Sequence, residues 1–412
     1  MSYDVSIFTP FHKKDIKYLY DLYGSLMDQT CQNWEWVLVP NGEGLQANLS
    51  ELKKDNRIKV FCHNRTGCIG ELKNFACLNC SSEILVEVDW DDLLTPDAIE
   101  CVKDAFKKPN VGFVYSNSLI TDLELGKRPR YDSKHGWVYR EREFRGRLLD
   151  EPICFEATPA SVSKIWYAPD HVRAFRKSVY ESVGGHNPDL PVLDDQDLMC
   201  RLYLATDFYH IDKGLYVYRV HTDNSWLRHN QEIQKGVWPL YDYYIEKMAL
   251  KWSACSGLKS YDLGGRLQSY PDYISVDLKD ADVIADLNER WPMEDSSVGV
   301  IRAYDVFEHL RDPLKTMKEL YRVLAPGGYA FIQVPSTDGR GAFQDPTHVS
   351  FWNDNSWLYY SDRNYSQYID SPVRFQVMRG YTTGMNDRGV CWSVAHLVNL
   401  KGGVKIPGVI NI

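Results

Sequence analysis

The first ~110 residues of this chain alternate short β-branched runs with amphipathic helical stretches, and that rhythm limits the fold more than anything else in the sequence. Val5–Thr9 reads as a strand, after which Ile16, Leu19, Leu22 and Leu26 fall on one helical face. Trp34–Val39 is the next strand, closed by the turn signal Pro40-Asn41-Gly42, and Ile58–Cys62 is the third. A helix over Ile69–Asn79 leads into a strand at Ile84–Val88, and Pro96-Asp97 starts a helix that ends near Pro109. Such alternation specifies a mainly parallel sheet covered by helices. Ligands of these sheets collect beyond the carboxyl ends of the strands.

The rhythm returns near Leu258. Ser260–Gly264, Tyr273–Val276, Val298–Ala303 and Tyr329–Val334 read as strands, with a helix over Pro313–Leu324 ended by Pro326-Gly327-Gly328. The expected organisation is therefore a first α/β domain over 1–230, a long amphipathic helix over 231–250, and a second α/β domain over 251–412. A chain of 412 residues has the length for two domains. With 44% hydrophobic and 25% charged residues it has material for two cores.

A formal charge of −9 argues against a protein that coats nucleic acid through its overall field. No apolar run approaches the ~20 residues that span a bilayer. The start, Met-Ser-Tyr-Asp-Val-Ser-Ile-Phe, lacks the basic and apolar regions of a signal peptide. Among 10 cysteines only Cys77 and Cys80 form a C-x-x-C, with no second pair or histidine at zinc-site spacing, so buried free thiols are expected. A reducing cytoplasm is the expected compartment.

Two stretches carry chemistry. Val88-Asp89-Trp90-Asp91-Asp92 sets acids at a strand end, where alternate residues of an extended chain point to one side. Asp89 and Asp91 on one side suit Mg²⁺ or Mn²⁺, which take oxygen ligands and keep several waters. A solvated turn or a helix cap is the competing reading, the cap applying above all to Asp92. Residues 126–148 carry eight Lys and Arg among Tyr131, Trp137, Tyr139 and Phe144, with weak periodicity. A mobile loop beside a site is expected there. Basic residues reach phosphates and aromatics stack on bases.

Taken in order, the motifs of the first half resemble a family 2 glycosyltransferase of the GT-A fold over residues 3–228. They are Thr9-Pro10, Lys73-Asn74, Asp89-x-Asp91-Asp92, Gly184-Gly185 followed by Leu193-Asp194-Asp195-Gln196-Asp197, and Arg219-Val220-His221 with Asn224 and Ser225. The resemblance implies inverting, metal-dependent transfer from a nucleotide sugar. It places Thr9, Pro10, Asn41, Lys73 and Asp89 on the donor, and makes Asp91, Asp89 and His221 the Mn²⁺ or Mg²⁺ ligands. Asp195 becomes the general base, with Asp194 its nearest rival and Asp197 structural. A histidine bonded to a neighbouring carbonyl is the competing reading of His221. Where the family commonly ends its second strand in acids, this chain has Pro40-Asn41-Gly42, and a UDP-sugar is the default donor. The acceptor is a glycan or a hydroxymethylated DNA base, with Trp137, Tyr139, Arg140, Arg142 and Asp194 the expected contacts.

The second half resembles class I methyltransferases that use S-adenosylmethionine. Ser275-Val276-Asp277-Leu278, Ala285-Asp286-Leu287, Ala303–Leu310 and Glu319–Gly328 carry the likeness, which implies a Rossmann-like fold. Asp262, Gly264, Asp277 and Asp286 are its methyl-donor positions. After Asp262-Leu263-Gly264-Gly265 come Arg266-Leu267-Gln268 rather than further glycines, and Asp277 follows too soon for a full intervening helix. The domain is expected to be degenerate, a scaffold or homo-oligomer surface without S-adenosylmethionine. A bifunctional transferase–methyltransferase and a non-catalytic scaffold are the rival readings. Asp345-Pro346-Thr347-His348 reads as a metal pair or as a turn capped by Asp345.

Overall fold

The computed structural model describes residues 3–12, 16–42, 45, 49–63, 68–164, 169–222, 224–266, 270–404 and 407. Two compact units emerge, one of Met1–Ser133 with Trp137–Tyr244 and one of Lys134–Gly136 with Ile245–Ile412. Both are α/β. The division falls inside a 26-residue helix, Asn230–Cys255, longer at both ends than the stretch expected from periodicity.

The first unit holds ten strands: β1 (Val5–Phe11), β2 (Trp34–Pro40), β3 (Ile58–Val60), β4 (Ile84–Glu87), β5 (Leu93–Leu94), β6 (Val111–Thr121), β7 (Tyr139–Phe144), β8 (Arg147–Pro152), β9 (Arg173–Arg176) and β10 (Asp207–Arg219). Their order is β3-β2-β1-β4-β9-β6-β10-β5, with the β7–β8 hairpin attached to β6 through β8. β3, β2, β1 and β4 run parallel, in register Val5↔Trp34 and Ser6↔Leu85. β9 is inserted antiparallel to both β4 and β6. All seven residues of β1 and of β2 are buried, as a sheet covered on both faces requires. The Lys17–Met27 helix buries Leu19, Leu22 and Leu26, so the apolar stripe read from sequence is its core face.

Two expectations change here. Residues 126–148 are not one irregular loop: most of their second half is the β7–β8 hairpin, in register from Tyr139↔Pro152 to Phe144↔Arg147. The other change is the 13-residue β10, in the region from 149 to about 230 whose sequence reads as shorter, mixed elements, pairing with the 11-residue β6. Their polar residues are satisfied by partners distant in sequence, such as Asn117 with Glu151 at 2.8 Å, and no local pattern encodes those.

The second unit holds β11 (Lys259–Leu263), β12 (Ile274–Asp277), β13 (Val283–Ile284), β14 (Val298–Tyr304), β15 (Leu324–Pro335), β16 (Phe375–Thr382) and β17 (Trp392–Asn399). The order is β13-β12-β11-β14-β15-β17-β16, in which β17 alone runs opposite to the other strands. The Pro313–Val323 helix is capped by Asp312, whose side chain accepts from Leu314 and Lys315 backbone N–H groups. Between β11 and β12 no described residue is helical, and Leu267 and Gln268 lie outside the described residues.

Candidate active site

The acidic stretch leaves β4 one residue before Val88 and closes a turn, in which the Asp92 N–H donates to the Asp89 carbonyl at 3.2 Å. Asp89 and Asp91 therefore do not project together from a strand, as expected; the turn aims them separately. The Asp89 side chain is 43% exposed and its Oδ2 lies 3.9 Å from His171 Nε2. Asp91 is buried, and its Oδ2 sits 2.7 Å from His221 Nε2. His221 is thus partnered by a carboxylate. Among the described residues Asp89, Asp91 and His221 do not close into one three-ligand cluster, so the expected ligand set reduces to Asp91 with His221 and a separate Asp89.

Asp92 is a strut. Its carboxylate accepts from Tyr216 Oη at 2.8 Å and from the Arg219 N–H at 2.7 Å, both on β10, and it caps no helix. Burial, then the charges of Asp91 and Asp89, push its carboxyl well above the usual carboxylate range. Tyr216 Oη also accepts from the Asp89 N–H at 3.0 Å. The end of β10 therefore shapes the whole turn.

On the other side of the site, Gly184 and Gly185 take φ of 83° and 65°, a left-handed corner that glycine adopts at little cost. The corner brings the His186 N–H to Asn74 Oδ1 at 2.7 Å and leads into the Asp194–Ala205 helix. Asp194, Asp195 and Asp197 all fall in that helix's first turn, where the backbone dipole favours negative charge. Asp195 Oδ2 accepts from Arg173 at 2.8 Å. Burial opposes its ionisation, but Arg173 and then Lys73 outweigh burial and hold its carboxyl below the usual range. Asp197 is occupied by Arg201 at 2.6 Å and by Tyr244 Oη at 2.7 Å.

Lys73 joins the two sides. Its ammonium lies 2.7 Å from Glu87 and 3.1 Å from Asp194, almost fully buried. Burial alone would favour the neutral amine; Asp194, Glu87, Asp195 and Asp89, in that order, reverse this and hold its pKa well above the ordinary lysine value. Lys73, expected on the donor, and Asp194, expected on the acceptor, are each other's ion-pair partner here. Thr9, expected on the donor, is engaged as well. Its hydroxyl donates to the Val88 carbonyl at 2.7 Å and accepts from Trp36 Nε1 at 3.0 Å, so it fastens β1 to the acidic strand. Pro10 is buried within β1, and Asn41 follows β2 with its N–H on the Phe11 carbonyl at 2.7 Å.

The arginines of the hairpin are spent internally. Arg140 pairs with Glu151 at 2.6 Å and Asp212 at 3.1 Å; Arg142 reaches the Gly214 carbonyl and Asp97. Both arginines, expected at the acceptor, thus have carboxylate partners within the fold. Tyr139 Oη accepts from the Tyr131 N–H at 2.6 Å. Trp137 packs between Tyr131 and Phe155, with ring centres at 5.2 and 4.9 Å. Tyr131 is close enough to Asp170 for that charge, after burial, to raise its phenol, so this aromatic group borders the Asp170–His171–Asp89 side of the site. His171, stacked on Tyr216 at 4.7 Å, Arg173 and Glu87 are site residues the sequence reading missed. Only Glu87 offered a signal, lying at the end of β4 two residues before Asp89.

In the second unit Asp262 of β11 is bonded to Arg302 of β14 at 3.1 Å, and that guanidinium lies over Tyr270 and Tyr304 at 4.1 and 4.0 Å. Gly264 has φ 75°, and a Cβ there would meet Val306 at 2.4 Å, so its glycine serves packing of the chain on itself. The Asp277 carboxylate accepts from the Leu278 N–H at 2.6 Å, and Asp286 holds an exposed turn with Asn288. Asp262, an expected methyl-donor position, is thus engaged by Arg302. Cys77 and Cys80 are buried and free, and burial pushes the Cys80 thiol up to about 12. No helix among the described residues is long and apolar enough to cross a membrane.

A mainly parallel sheet near whose strand ends lie carboxylates, an aspartate–histidine pair and a buried lysine, together with a second, mainly parallel sheet, defines a two-domain α/β protein. Residues 6–184 match the model of glycosyl transferase family 2, and residues 224–372 match that of a methyltransferase domain. The chain carries an amino-terminal family 2 glycosyltransferase domain of the GT-A fold, fused to a carboxyl-terminal, Rossmann-like methyltransferase domain. It is 25% identical to an Escherichia coli chondroitin synthase, over 56% of this chain and 31% of that protein. It is 24% identical to the glycosyltransferase GlyG of Streptococcus pneumoniae, over 57% of this chain and 79% of that one. A crystal structure of S. aureus TarS aligns with TM-score 0.41 at 17% identity, covering 57% of this chain and 39% of TarS. The chain thus spans under a third of the chondroitin synthase.

Proposed function

We propose that the first domain transfers a sugar, with inversion, from a nucleotide-sugar donor to an acceptor hydroxyl. The observation that carries this reading is the Lys73 network. One buried ammonium feels Glu87, Asp194, Asp195 and Asp89 at once, which puts the donor-side acids and the base candidate in a single site. Asp195 is held ionised by Arg173 while its side chain keeps 19% exposure, the state a general base needs to accept the acceptor's proton. Asp91 with His221 offers one carboxylate oxygen and one imidazole nitrogen. Mn²⁺ or Mg²⁺ fits that set, since such ions complete their shells with water and substrate phosphates. Bound there, the ion would neutralise charge developing on the departing diphosphate. Asp89, exposed beside His171, is left to contact the ribose. A UDP-sugar remains the default donor.

A glycan is the favoured acceptor. The name of the chondroitin synthase relative points the same way. The DNA reading loses support because Arg140 and Arg142 would have to abandon Glu151, Asp212 and Asp97 to reach phosphates. Trp137, beside Tyr131 at the border of the site, is the remaining acceptor-side contact. The second domain serves as a scaffold without S-adenosylmethionine, a reading supported by the pairing of Asp262 with Arg302. The reading concerns a protein in a reducing compartment, with its ten cysteines free.

A panel of nucleotide sugars with Mn²⁺, scored by nucleotide release, tests the proposal. Release with one donor, abolished by chelator and by Asp91→Ala, is expected. Release unchanged in both Asp91→Ala and Asp195→Ala would remove the assignment.

A further inference from the structure

We propose that Glu308, His309 and His348 of the second domain form a binding site for a zinc-class divalent ion, separate from the acidic turn of the first. One ligand atom from each residue lies within 4.8 Å of the others, and among the described residues this is the one such group of three. The donors come from two segments. Glu308 and His309 belong to the short 3₁₀ turn after β14, at the carboxyl edge of the sheet, and His348 belongs to the Asp345–His348 turn.

Three features go beyond proximity. Glu308 is only 2% exposed, and neither of its carboxylate oxygens finds a hydrogen-bond partner on another described residue. Buried carboxylates are ordinarily paired or coordinate metals. Oε1 of this orphan is 3.9 Å from His348 Nε2, too long for a hydrogen bond and a few tenths of an ångström beyond the ~3.3–3.6 Å between two tetrahedral ligands of one ion.

The imidazole of His348 is set for the same purpose. Its Nδ1 lies 3.0 Å from the Ala342 carbonyl oxygen, which only accepts, so Nδ1 carries the hydrogen and the Nε2 lone pair faces Glu308. Metal-bound histidines are oriented by this kind of outer contact. His309 Nδ1 is likewise held by the Thr347 carbonyl at 3.2 Å.

The two segments are also locked together. The Glu308 carbonyl accepts from the Val349 and Ser350 N–H groups at 2.8 and 3.0 Å, and Ser350 Oγ donates to the Phe307 carbonyl at 2.7 Å. The donors are thereby preorganised. Asp345 Oδ2, 4.0 Å from His348 Nε2, is placed to serve as a fourth ligand. Two imidazoles with carboxylate oxygens select zinc-class ions over Mg²⁺ or Ca²⁺.

The test uses the full chain carrying Asp91→Ala, so that the acid–histidine pair of the first domain contributes nothing. After chelator treatment it is titrated with Zn²⁺, and with Co²⁺ as a visible reporter. One equivalent should bind, with the absorbance of a low-coordinate Co²⁺ centre. Adding Glu308→Gln, His309→Ala or His348→Ala should weaken binding at least ~10-fold, each variant being compared by circular dichroism without metal. The isosteric Glu308→Gln chain keeps the test decisive should a histidine variant unfold. If the Asp91→Ala chain takes up no ion, or takes it up equally with Glu308→Gln present, the site does not exist.

Discussion

Asp92 and Asp195 occupy similar acidic settings with opposite electrostatic outcomes, and single-residue tests follow from the difference. Asp195 has a guanidinium against it; Asp92 has two like charges near it and only neutral donors. Replacing Asp195 with Asn should lower kcat by roughly 10²–10⁴-fold, with nucleotide affinity measured by calorimetry unchanged. For Asp92 the folded-state pKa lies above the unfolded one, so its contribution favours folding at low pH and is lost as pH rises through the folded value. Urea unfolding at pH 5 and pH 8 should therefore show Asp92→Asn gaining stability relative to the wild type at the higher pH. A gain at the lower pH instead would show that the sign is wrong. Removing the charge of Lys73 leaves two buried carboxylates unpaired, and Lys73→Met should cost about 3–5 kcal/mol in the same assay.

At the scale of elements, the Gly-Gly corner before the Asp194–Ala205 helix is the critical joint. A Cβ on Gly185 would meet Asn74 Oδ1 at 2.3 Å and Tyr180 at 2.9 Å, on a backbone already left-handed. Gly185→Ala should destabilise by about 1–3 kcal/mol and depress turnover with it, because the corner delivers Asp194 to Lys73 and Asp195 to Arg173. Thermal unfolding and nucleotide release from one preparation measure both. The β7–β8 hairpin makes the contrasting case. Its basic composition suggested a nucleic-acid arm, yet Arg130, Arg140 and Arg142 each face a carboxylate across the fold. Arg140→Ala should lower the melting temperature without altering the affinity for duplex DNA, read by fluorescence anisotropy at low salt. A selective loss of DNA affinity would restore the discarded acceptor.

For the whole molecule, the two domains make separate predictions. Calorimetry of the full chain with S-adenosylmethionine should give no heat, given the Asp262–Arg302 pair; a micromolar affinity would return the bifunctional reading. Much of this architecture was legible in sequence because period-2 and period-3.6 patterns are local and short-range. They located β1 to β4 and the helices between them, and the strands β11, β12, β14 and β15. The turn at Gly184-Gly185 and the acids around it were equally legible, since glycine at a left-handed corner and acids at a helix start have local causes. Which acid does what was not. Thr9, Lys73, Asp92 and Asp194 are residues of the expected kinds whose partners lie 14 to 127 positions away in sequence, on other elements. Sequence alone determined two α/β domains, an acidic strand end and a truncated loop after β11. Only the tertiary structure decided that Asp91 faces His221, that Lys73 pairs with Glu87 and Asp194, and that Glu308 stands buried beside two histidines with no hydrogen-bond partner on another described residue, because burial and charge pairing are properties of distances that only folding sets.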